Sequence, residues 1–442
     1  MTSPTAVVIR SLSESWPPPG PAPVGDGRAR RLLPPGADKA AEDLVRHLAR
    51  HGPAPRLRDG PSRDALLAKI EQAGLLGRGG ASFPSAKKLR AVNAQQRRAV
   101  VVANGTEGEP ASAKDKVLLA RAPHLVLDGA VLAAELVGAR HAIVVVHRAV
   151  RDVVDHAVGE RRRAGLDAVH LTIVTAVDRF VAGEASAVVN FLDRGVALPR
   201  MTPPRLAERG LGGRPTLVQN VETLAHLALI ARHGARWYRA IGTEAEPGST
   251  LVTLLGPLRY PGVYEVALGT PVSDVLVMAG GASGPLQALL FGGYFGSWAT
   301  AASALEAPFS TAGLSALGAT VGAGLIVALP ANKCGLVETA RVVRYLAGQS
   351  AGQCGPCVFG LPAIAGELEA LAAGGEFNLA QLSRWLDQVD GRGACSHPDG
   401  VARLVRSAVL VFADEVNRHR TGWCCATGGT GPVLPIGSGG LR

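Results

Sequence analysis

The sequence predicts a multi-part α/β chain: a domain with a central, mostly parallel sheet, then a β-grasp-like module, then a C-terminal helical bundle. Three observations carry this. Apolar runs at 99–103, 141–147 and 169–175 alternate with helix-patterned stretches at 124–136 and 149–163, the signature of a parallel sheet crossed by helices. After Gly242 the texture changes to short β-rich runs. From about residue 331 amphipathic helical stretches recur and carry most of the six cysteines, which at 334, 354, 357, 395, 424 and 425 all lie in the last quarter of the chain.

With 442 residues and 47% of positions hydrophobic, the chain can bury more than one core. Global disorder and a disulfide-stapled miniprotein are both excluded. Its 55 glycines and 30 prolines follow no collagen-like period and imply many tight turns. The net charge of +10 is dispersed and suits an acidic partner or a phosphate-bearing ligand. There is no finger spacing or RNA-binding signature, so nucleic acid is not expected as a partner.

Residues 1–60 contain ten prolines around one helix-patterned stretch, 39–51, and read as a variable extension. Trp16 to Val24 is broken by prolines and is not a secretory signal. The apolar stretches 141–148 and 316–330 are too short or too glycine-interrupted to span a bilayer, so no transmembrane segment is expected. A cytoplasmic chain follows, peripheral at the inner face of a membrane through its partners.

The α/β domain is expected over 61–243. A short helix at 65–73 leads into Gly74 to Pro84, where glycines interrupt regular structure. The strand at 99–103 ends in a polar turn, and 220–233 has helical spacing that closes the domain. The β-grasp module is expected over 244–330, with strands at 250–256 and 262–268, a helix near 272–279 and an apolar run at 287–291 entering Gly292-Gly293. The helical bundle is expected over 331–422 as three or four helices, 335–347, 358–372, 379–390 and 399–418, followed by a Gly- and Pro-rich flexible tail over 423–442.

Several segments could carry chemistry. Gly77-Arg78-Gly79-Gly80-Ala81 offers sterically open amides, and Lys87 and Lys88 could balance phosphate charge. It is neither a dinucleotide fingerprint nor a Walker loop, and a structural turn explains it equally well. Phe83 beside it could stack on a ring or fill a core. Asn104, Glu107 and Glu109 sit in the turn after a strand, where open α/β sheets bind ligands; a plain surface loop is the alternative. Lys114 and Asp115 read as a local ion pair. Glu184 opens a helix, where it could face a ligand or simply favour the helix dipole. Gln219, Asn220 and Thr223 stand at another helix entry, with Asn220 either a ligand group or an N-cap. Cys354-Gly-Pro-Cys357 with Cys395 suits iron–sulfur or zinc ligation. A redox-active pair would need a strand-led unit that does not start here, and buried inert thiols are the remaining reading.

In combination these blocks make the chain, over about 65–415, resemble the NADH-binding, FMN-containing flavoprotein subunits of respiratory NADH:quinone oxidoreductase, and the diaphorase subunits of NAD-reducing hydrogenase and NAD-dependent formate dehydrogenase. The resemblance implies an FMN-binding α/β domain, an SLBB-like β-grasp module and a helical iron–sulfur domain. The family's Gly-Arg-Gly-Gly-Ala-Gly-Phe-Pro is similar to Gly77 through Pro84, with Ser82 at the last glycine. It implies FMN phosphate or ribityl contacts for Gly77, Gly79 and Lys88, and an NADH adenine contact for Phe83. Asn-Ala-Asp-Glu-x-Glu-Pro resembles Asn104 through Pro110, which implies FMN-side roles for Asn104 and Glu107 and an NADH-side role for Glu109; Thr106 replaces the aspartate. Tyr-x-x-Gly-Glu-Glu is matched by Phe180 through Ala185, keeping Glu184 on the NADH side, and Asn-Asn-Val-Glu-Thr by Gln219 through Thr223, placing Asn220 with FMN. Thr202 stands where the family has lysine.

The cluster block departs further. Ser-Cys-Gly-x-Cys-x-x-Cys is matched by Ser350 through Cys357 with Ala351 at the first ligand, leaving Cys354, Cys357 and Cys395. A 3Fe-4S cluster, a 4Fe-4S cluster completed by another group, and no cluster all stay open, with Cys334, Cys424, Cys425 and His397 as candidate replacements. The implied activity is an FMN-dependent NADH dehydrogenase needing no protein nucleophile. Electrons would pass from NADH through FMN to a small iron–sulfur protein or ferredoxin-like acceptor within a larger redox complex. The changes at 106, 180, 185, 202 and 351 support a second reading, a degenerate subunit that binds FMN or serves as a structural electron relay without oxidising NADH. A third, a transport-complex subunit related through the SLBB region, predicts a quinone or membrane partner.

Overall fold

The computed structural model of the chain describes residues 30–35, 40–201, 204–424, 426 and 431–436. Thr202, Cys425 and most of the proline-rich start, including residue 39 of the expected first helix, lie outside them.

Four strands, the valine-rich β1 (Val100–Gly105) and β2 (His141–Val146) with β3 (His170–Thr175) and β4 (Thr216–Asn220), form a parallel sheet in the order β3-β2-β1-β4. Parallel strands are covered on both faces, and β1 shows it: Val101 and Ala103 enter one core, Val100 and Val102 the other. The helices α1 (Leu44–His51), α2 (Gly60–Ala73), α3 (Ser85–Asn93), α4 (Lys114–Arg121), α5 (Pro123–Leu136), α6 (Arg151–Arg163), α7 (Ala185–Arg194) and α8 (Val221–Tyr238) surround it. The chain runs β1 to β2 to β3 in one direction, then returns to place β4 on the other side of β1. The reversal opens a crevice at the carboxyl ends of β1 and β4, where Asn104 and Asn220 are register partners.

Much of the expected N-terminal extension that is described packs onto this domain. Leu32 is buried, His47 bonds Asp128 at 2.8 Å, and the Glu42 amide donates to the Arg121 carbonyl at 2.9 Å. α5 and α8 lie in close contact because Gly129 has no side chain: a Cβ there would stand 2.0 Å from the Leu224 carbonyl oxygen.

A second sheet of five strands, β5 (Ser249–Leu255), β6 (Gly262–Ala267), β7 (Leu286–Phe291), β8 (Ser297–Thr300) and β9 (Leu325–Pro330), has the order β6-β5-β9-β7-β8. Its only parallel pair is β5 with β9. The small helices α9 (Val272–Met278), α10 (Ala301–Leu305) and α11 (Thr311–Ser315) complete the module. Alternation along β7 and β9 divides the faces: Leu289, Phe291, Ile326 and Ala328 enter the module's own core, while Leu290, Val327 and Leu329 join the helical region's core.

That region comprises α12 (Gly335–Gly348), a π-turn at Pro356–Gly360, α13 (Leu361–Ala372), α14 (Leu379–Val389), α15 (His397–Val411) and α16 (Ala413–His419). The helix expected over 399–418 is broken at Phe412. In the tail, described residues are bound: the Val433 and Leu434 amides each donate to the Glu338 carboxylate at 3.0 Å, and Leu434 is buried. Among the described residues no single helix is long and apolar enough to cross a membrane.

The Gly129 contact makes a direct test. Gly129→Ala is expected to destabilise the chain by about 2–3 kcal/mol, read from urea unfolding, because the carbonyl of a packed helix must move. Gly159→Ala on α6, where a Cβ meets nothing closer than 3.9 Å, should be neutral or stabilising by up to about 1 kcal/mol.

Candidate functional site

The glycine loop is held from behind. The Arg78 amide donates to Thr223 Oγ1 at 2.8 Å, and its buried guanidinium to Tyr238 Oη at 3.0 Å and the Pro247 carbonyl at 3.3 Å. Arg78 thereby turns inward and leaves Gly79 and Gly80 exposed. A Cβ on Gly79 would lie 3.2 Å from Asn220 Cβ, so the loop meets the end of β4 as a bare backbone wall. Gly77 donates to the Phe83 carbonyl at 2.9 Å, and the Phe83 ring is half exposed. Ser82 has φ +47°, the left-handed conformation that explains why the family pattern carries glycine there. Lys88 is half-buried, donates to the Val218 carbonyl at 3.0 Å, and burial holds its ammonium below the ordinary lysine range.

Across the crevice Asn104 donates to the Gly183 carbonyl at 2.9 Å and accepts from the Thr106 amide at 3.2 Å. Asn220 caps α8 through its Oδ1 and donates from Nδ2 to Asp115 at 2.6 Å. Glu107 sits at φ +45°, a conformation held by its own carboxylate: it accepts from Ser112 Oγ at 2.6 Å and from the Asp115 and Lys116 amides at 3.1 and 3.0 Å. Its oxygens are turned into the turn they close, and the side chain is nearly buried. Two buried polar atoms at these strand ends, Thr106 Oγ1 and Gln219 Nε2, have no hydrogen-bond partner. Buried polar groups are nearly always paired, so these two fit a polar ligand.

Glu109 leaves the crevice for the second module. Its Oε2 accepts from the Tyr294 amide at 2.8 Å, and Oε1 from Ala111 at 3.5 Å. The residue keeps part of its surface in contact with solvent while its carboxyl is densely enclosed, as at the floor of a cleft, and burial pushes its pKa up to about 7. Glu184 caps α7, accepting from the Ala187 amide at 2.9 Å and from Ser186 Oγ. Gly77, Gly79, Asn104, Glu107 and Asn220 thus meet around the ends of β1 and β4, with Phe83 at the rim and Glu109 and Glu184 on adjoining walls. Tyr294, Gln219 and Thr106 complete the surround. Tyr294 was not legible because its module reads as separate; the adjacent Gly292-Gly293 is its one sequence signal.

Cys354 and Cys357 hydrogen-bond each other at the π-turn, and Cys395, before α15, lies close enough for its charge to act on Cys357. Burial acts to raise Cys354, but the amides of Ala394 and Cys357 outweigh it and hold the thiol below its ordinary value. Burial pushes Cys357 up to about 11 and raises Cys395. The three thiols fit soft-metal ligation, while Ala351 brings no donor. His397 is engaged elsewhere, its Nε2 lying 2.8 Å from the Leu346 carbonyl. Cys334 and Cys424 lie with His419 in a separate group.

A switch-point crevice on a parallel sheet, closed by a β-grasp sheet and backed by a cysteine-bearing helical region, defines the class: a three-part redox chain of flavoprotein type. The chain matches the Nuo51 FMN-binding domain over 70–229, the SLBB domain over 251–300 and the NADH-ubiquinone oxidoreductase-F iron-sulfur binding region over 338–419. It is 31% identical over 386 residues to the F subunit of NADH-quinone oxidoreductase of Streptomyces coelicolor, covering 82% of this chain and 84% of that protein. It is 30% identical to the corresponding F subunit of Escherichia coli, covering 80% and 84%. A solved NAD+-reducing NiFe hydrogenase in its air-oxidised state superposes with a TM-score of 0.76 at 31% identity, over 83% of this chain and 64% of that one. The chain belongs to the family of NADH-quinone oxidoreductase F subunits.

The buried carboxyl gives a pH test. Folded Glu109 keeps its proton up to about pH 7, whereas the unfolded group releases it near 4.5. The folded chain therefore binds more protons across that window, and stability falls as pH rises through it. Glu109→Gln, which keeps an acceptor for the Tyr294 amide, is expected to flatten the fall by up to about 3 kcal/mol in urea unfolding at a series of pH values. A remainder is expected from Glu265, which burial also raises to about 7.

Proposed function

We propose that the chain oxidises NADH with FMN as hydride acceptor and delivers the electrons to an iron–sulfur partner, as a peripheral subunit of a larger redox complex. The observation that carries this is the crevice between β1 and β4, walled by Gly79, with Asn104 and Asn220 in register and two unpaired buried polar atoms at its edge. Bound FMN supplies a ring that takes a hydride from nicotinamide and releases electrons singly. The chain's own groups bind and orient. Gly77 and Gly79 give backbone access for the phosphate and ribityl chain, and Lys88 the compensating charge. Asn104 and Asn220 offer amide groups at the strand ends. Gln219 Nε2 and Thr106 Oγ1 are donors in search of acceptors, while Glu107 acts by holding the turn.

On the nicotinamide side we assign Phe83, Glu109 and Glu184. A carboxyl that titrates at about 7 can hold or release a proton near neutrality, and Glu109 is so placed. The β-grasp turn carrying Tyr294 closes the floor beside Glu109 and restricts water there. Cys354, Cys357 and Cys395 are the ligands we infer for a cluster with one position not filled by cysteine. The division into 61–243, 244–330 and 331–422 follows the same reading. The acceptor that chemistry requires is a small one-electron carrier, an iron–sulfur protein.

An anaerobic titration of FMN-loaded protein tests the activity. NADH is expected to bleach the oxidised-flavin absorbance at one equivalent per flavin; a flavin left oxidised by both NADH and NADPH moves the chain to the second reading, a relay subunit, which Ala351 and Phe180 favour. For the cluster, protein isolated anaerobically should carry iron and acid-labile sulfide. Ala351→Cys is expected to slow iron loss on air exposure by about tenfold or more, as a fourth thiolate completes the ligand set. Equal rates would remove residue 351 from the ligand shell.

A further inference from the structure

Outside the crevice and the three thiols, a second group of soft donors forms where the chain end meets the start of the helical region. After α16 a tight turn reverses the chain: the Gly422 amide donates to the His419 carbonyl at 3.0 Å and Trp423 to Arg418 at 3.3 Å, with Gly422 at φ +79°. The turn carries Cys424 back beside His419. From the other side comes Cys334, the N-cap of α12, whose Sγ accepts from the Val337 amide at 3.5 Å. Cys334 Sγ lies 3.3 Å from His419 Nε2 and 3.4 Å from Glu415 Oε2. The sulfurs of Cys334 and Cys424 and a ring nitrogen of His419 all lie within 4.8 Å of one another.

These separations match a metal's ligand shell. Around tetrahedral zinc, bond lengths of about 2.3 Å to sulfur and 2.0–2.1 Å to nitrogen put sulfur and nitrogen about 3.5 Å apart. Cys334 and His419 are buried, Cys424 is exposed and leaves an entry path, and His419 Nδ1 is buried without a hydrogen-bond partner. Nε2 is the ring nitrogen that faces the Cys334 sulfur. Another described group, Glu42, His47 and His51, is equally compact, but it holds no sulfur, and Arg50 and Arg232 supply counter-charge around it. In the Cys334 group the adjoining carboxylate, Glu415, accepts from the Leu336 amide at 3.1 Å and from the Cys334 thiol at 3.4 Å, and so holds the sulfur in place.

We propose that Cys334, His419 and Cys424 bind a structural zinc ion, with the fourth position left to water on the exposed Cys424 side. Binding exchanges two thiol protons, released to solvent, for two zinc–sulfur bonds and one zinc–nitrogen bond, with no change of oxidation state. The ion would staple the chain end to the seam between the β-grasp sheet and the helices. The staple extends a strap already present: Lys333 Nζ donates to the Gly431 carbonyl at 2.8 Å, Glu338 binds the Val433 and Leu434 amides, and the Tyr294 hydroxyl donates to Pro435. Since the Tyr294 amide holds Glu109, the strap reaches the cleft through one residue.

The test is metal analysis of the full chain, purified under reductant and supplied with equimolar zinc before buffer exchange. About one zinc per chain is expected. Cys424→Ser, an exposed position whose folding is checked by its melting transition, should lower zinc by about tenfold or more, as should Cys334→Ser. Cys354→Ser with Cys357→Ser should leave zinc unchanged, which separates this site from the cluster. Cobalt in place of zinc should show tetrahedral ligand-field bands with thiolate charge transfer, lost in Cys424→Ser. A wild-type chain without zinc, or a folded Cys424→Ser chain that keeps it, overturns the proposal whatever the flavin does.

Discussion

The ammonium of Lys114 is buried between two carboxylates, 2.7 Å from Asp115 and 2.8 Å from Glu222, and much of the molecule is arranged around it. A lysine in the first turn of a helix opposes the helix dipole, so α4 gains nothing from it locally. Its value is in what the carboxylates do with their other oxygen. Asp115 accepts from Asn220 at 2.6 Å and so orients the asparagine at the crevice. Glu222 accepts from Thr250 Oγ1 and the Leu251 amide, both at 2.9 Å, and so fixes the first strand of the β-grasp sheet. Burial alone would raise Glu222, but Lys114 and His226 hold it down to about 2. For Asp115 burial prevails, with Glu107 and Glu222 adding to it against Lys114, and its pKa stands at about 6. Removing one member of such a set costs about 3–5 kcal/mol, because it strands a charge in the interior. The crevice and the second module are therefore set by one ion network, and the position of either constrains the other.

A second constraint joins the crevice to the cysteines. Gly183 accepts from Asn104, while three residues earlier the Phe180 amide donates to Gln349 and Arg179 reaches the Ser350 carbonyl at 3.2 Å. The Phe180 ring stands edge-on to Phe295, His397 and Tyr345, with centroids 4.7, 5.7 and 6.3 Å away. One short segment is thus the wall of the crevice on one side and part of the helical region's core on the other. Thiols and crevice are neighbours through it, although Cys354 and Asn104 are 250 residues apart in the chain.

The valine-rich β1 and β2 were legible because a strand covered on both faces carries an unbroken apolar run, and β3, at the sheet edge, was legible from its place after a helix-patterned stretch. β4 was not: it is five residues long, ends in Gln219 and Asn220 and passes straight into α8, so its end reads as a helix entry. β9 lay hidden inside the glycine-interrupted apolar stretch 316–330. Of the site, Asn220 could be read as a cap or a ligand-side group and Glu184 as a ligand-side group or an acid favouring the helix dipole, and the structure shows capping bonds at both. Glu107 was legible as important but not as inward-facing, since nothing in a sequence says which way a carboxylate at positive φ turns. The Lys114 pair was legible as a contact; its burial and its third partner, Glu222, 108 residues on, were not. The same distance problem conceals Cys334 from His419 and Cys424.

Ala351 raises the question of why the helical region tolerates an incomplete thiol set. Small domains built around a metal or cluster often fold only when it binds, because too little apolar surface is otherwise buried. This region has a core of its own: Leu336, Val343, Leu346, Leu361, Ile364, Leu368, Leu404 and Val405 are all essentially inaccessible, and they continue into β7, β8 and β9 through Leu290, Trp298 and Val327. The Trp298 indole donates to Thr339 at 3.0 Å, tying sheet to helix inside that core. From the segment 350–357 only Cys357 is buried in it, with Cys354 packed against its edge. The fold is therefore secured away from residue 351, and the donor count there can change without removing the scaffold that holds the three thiols.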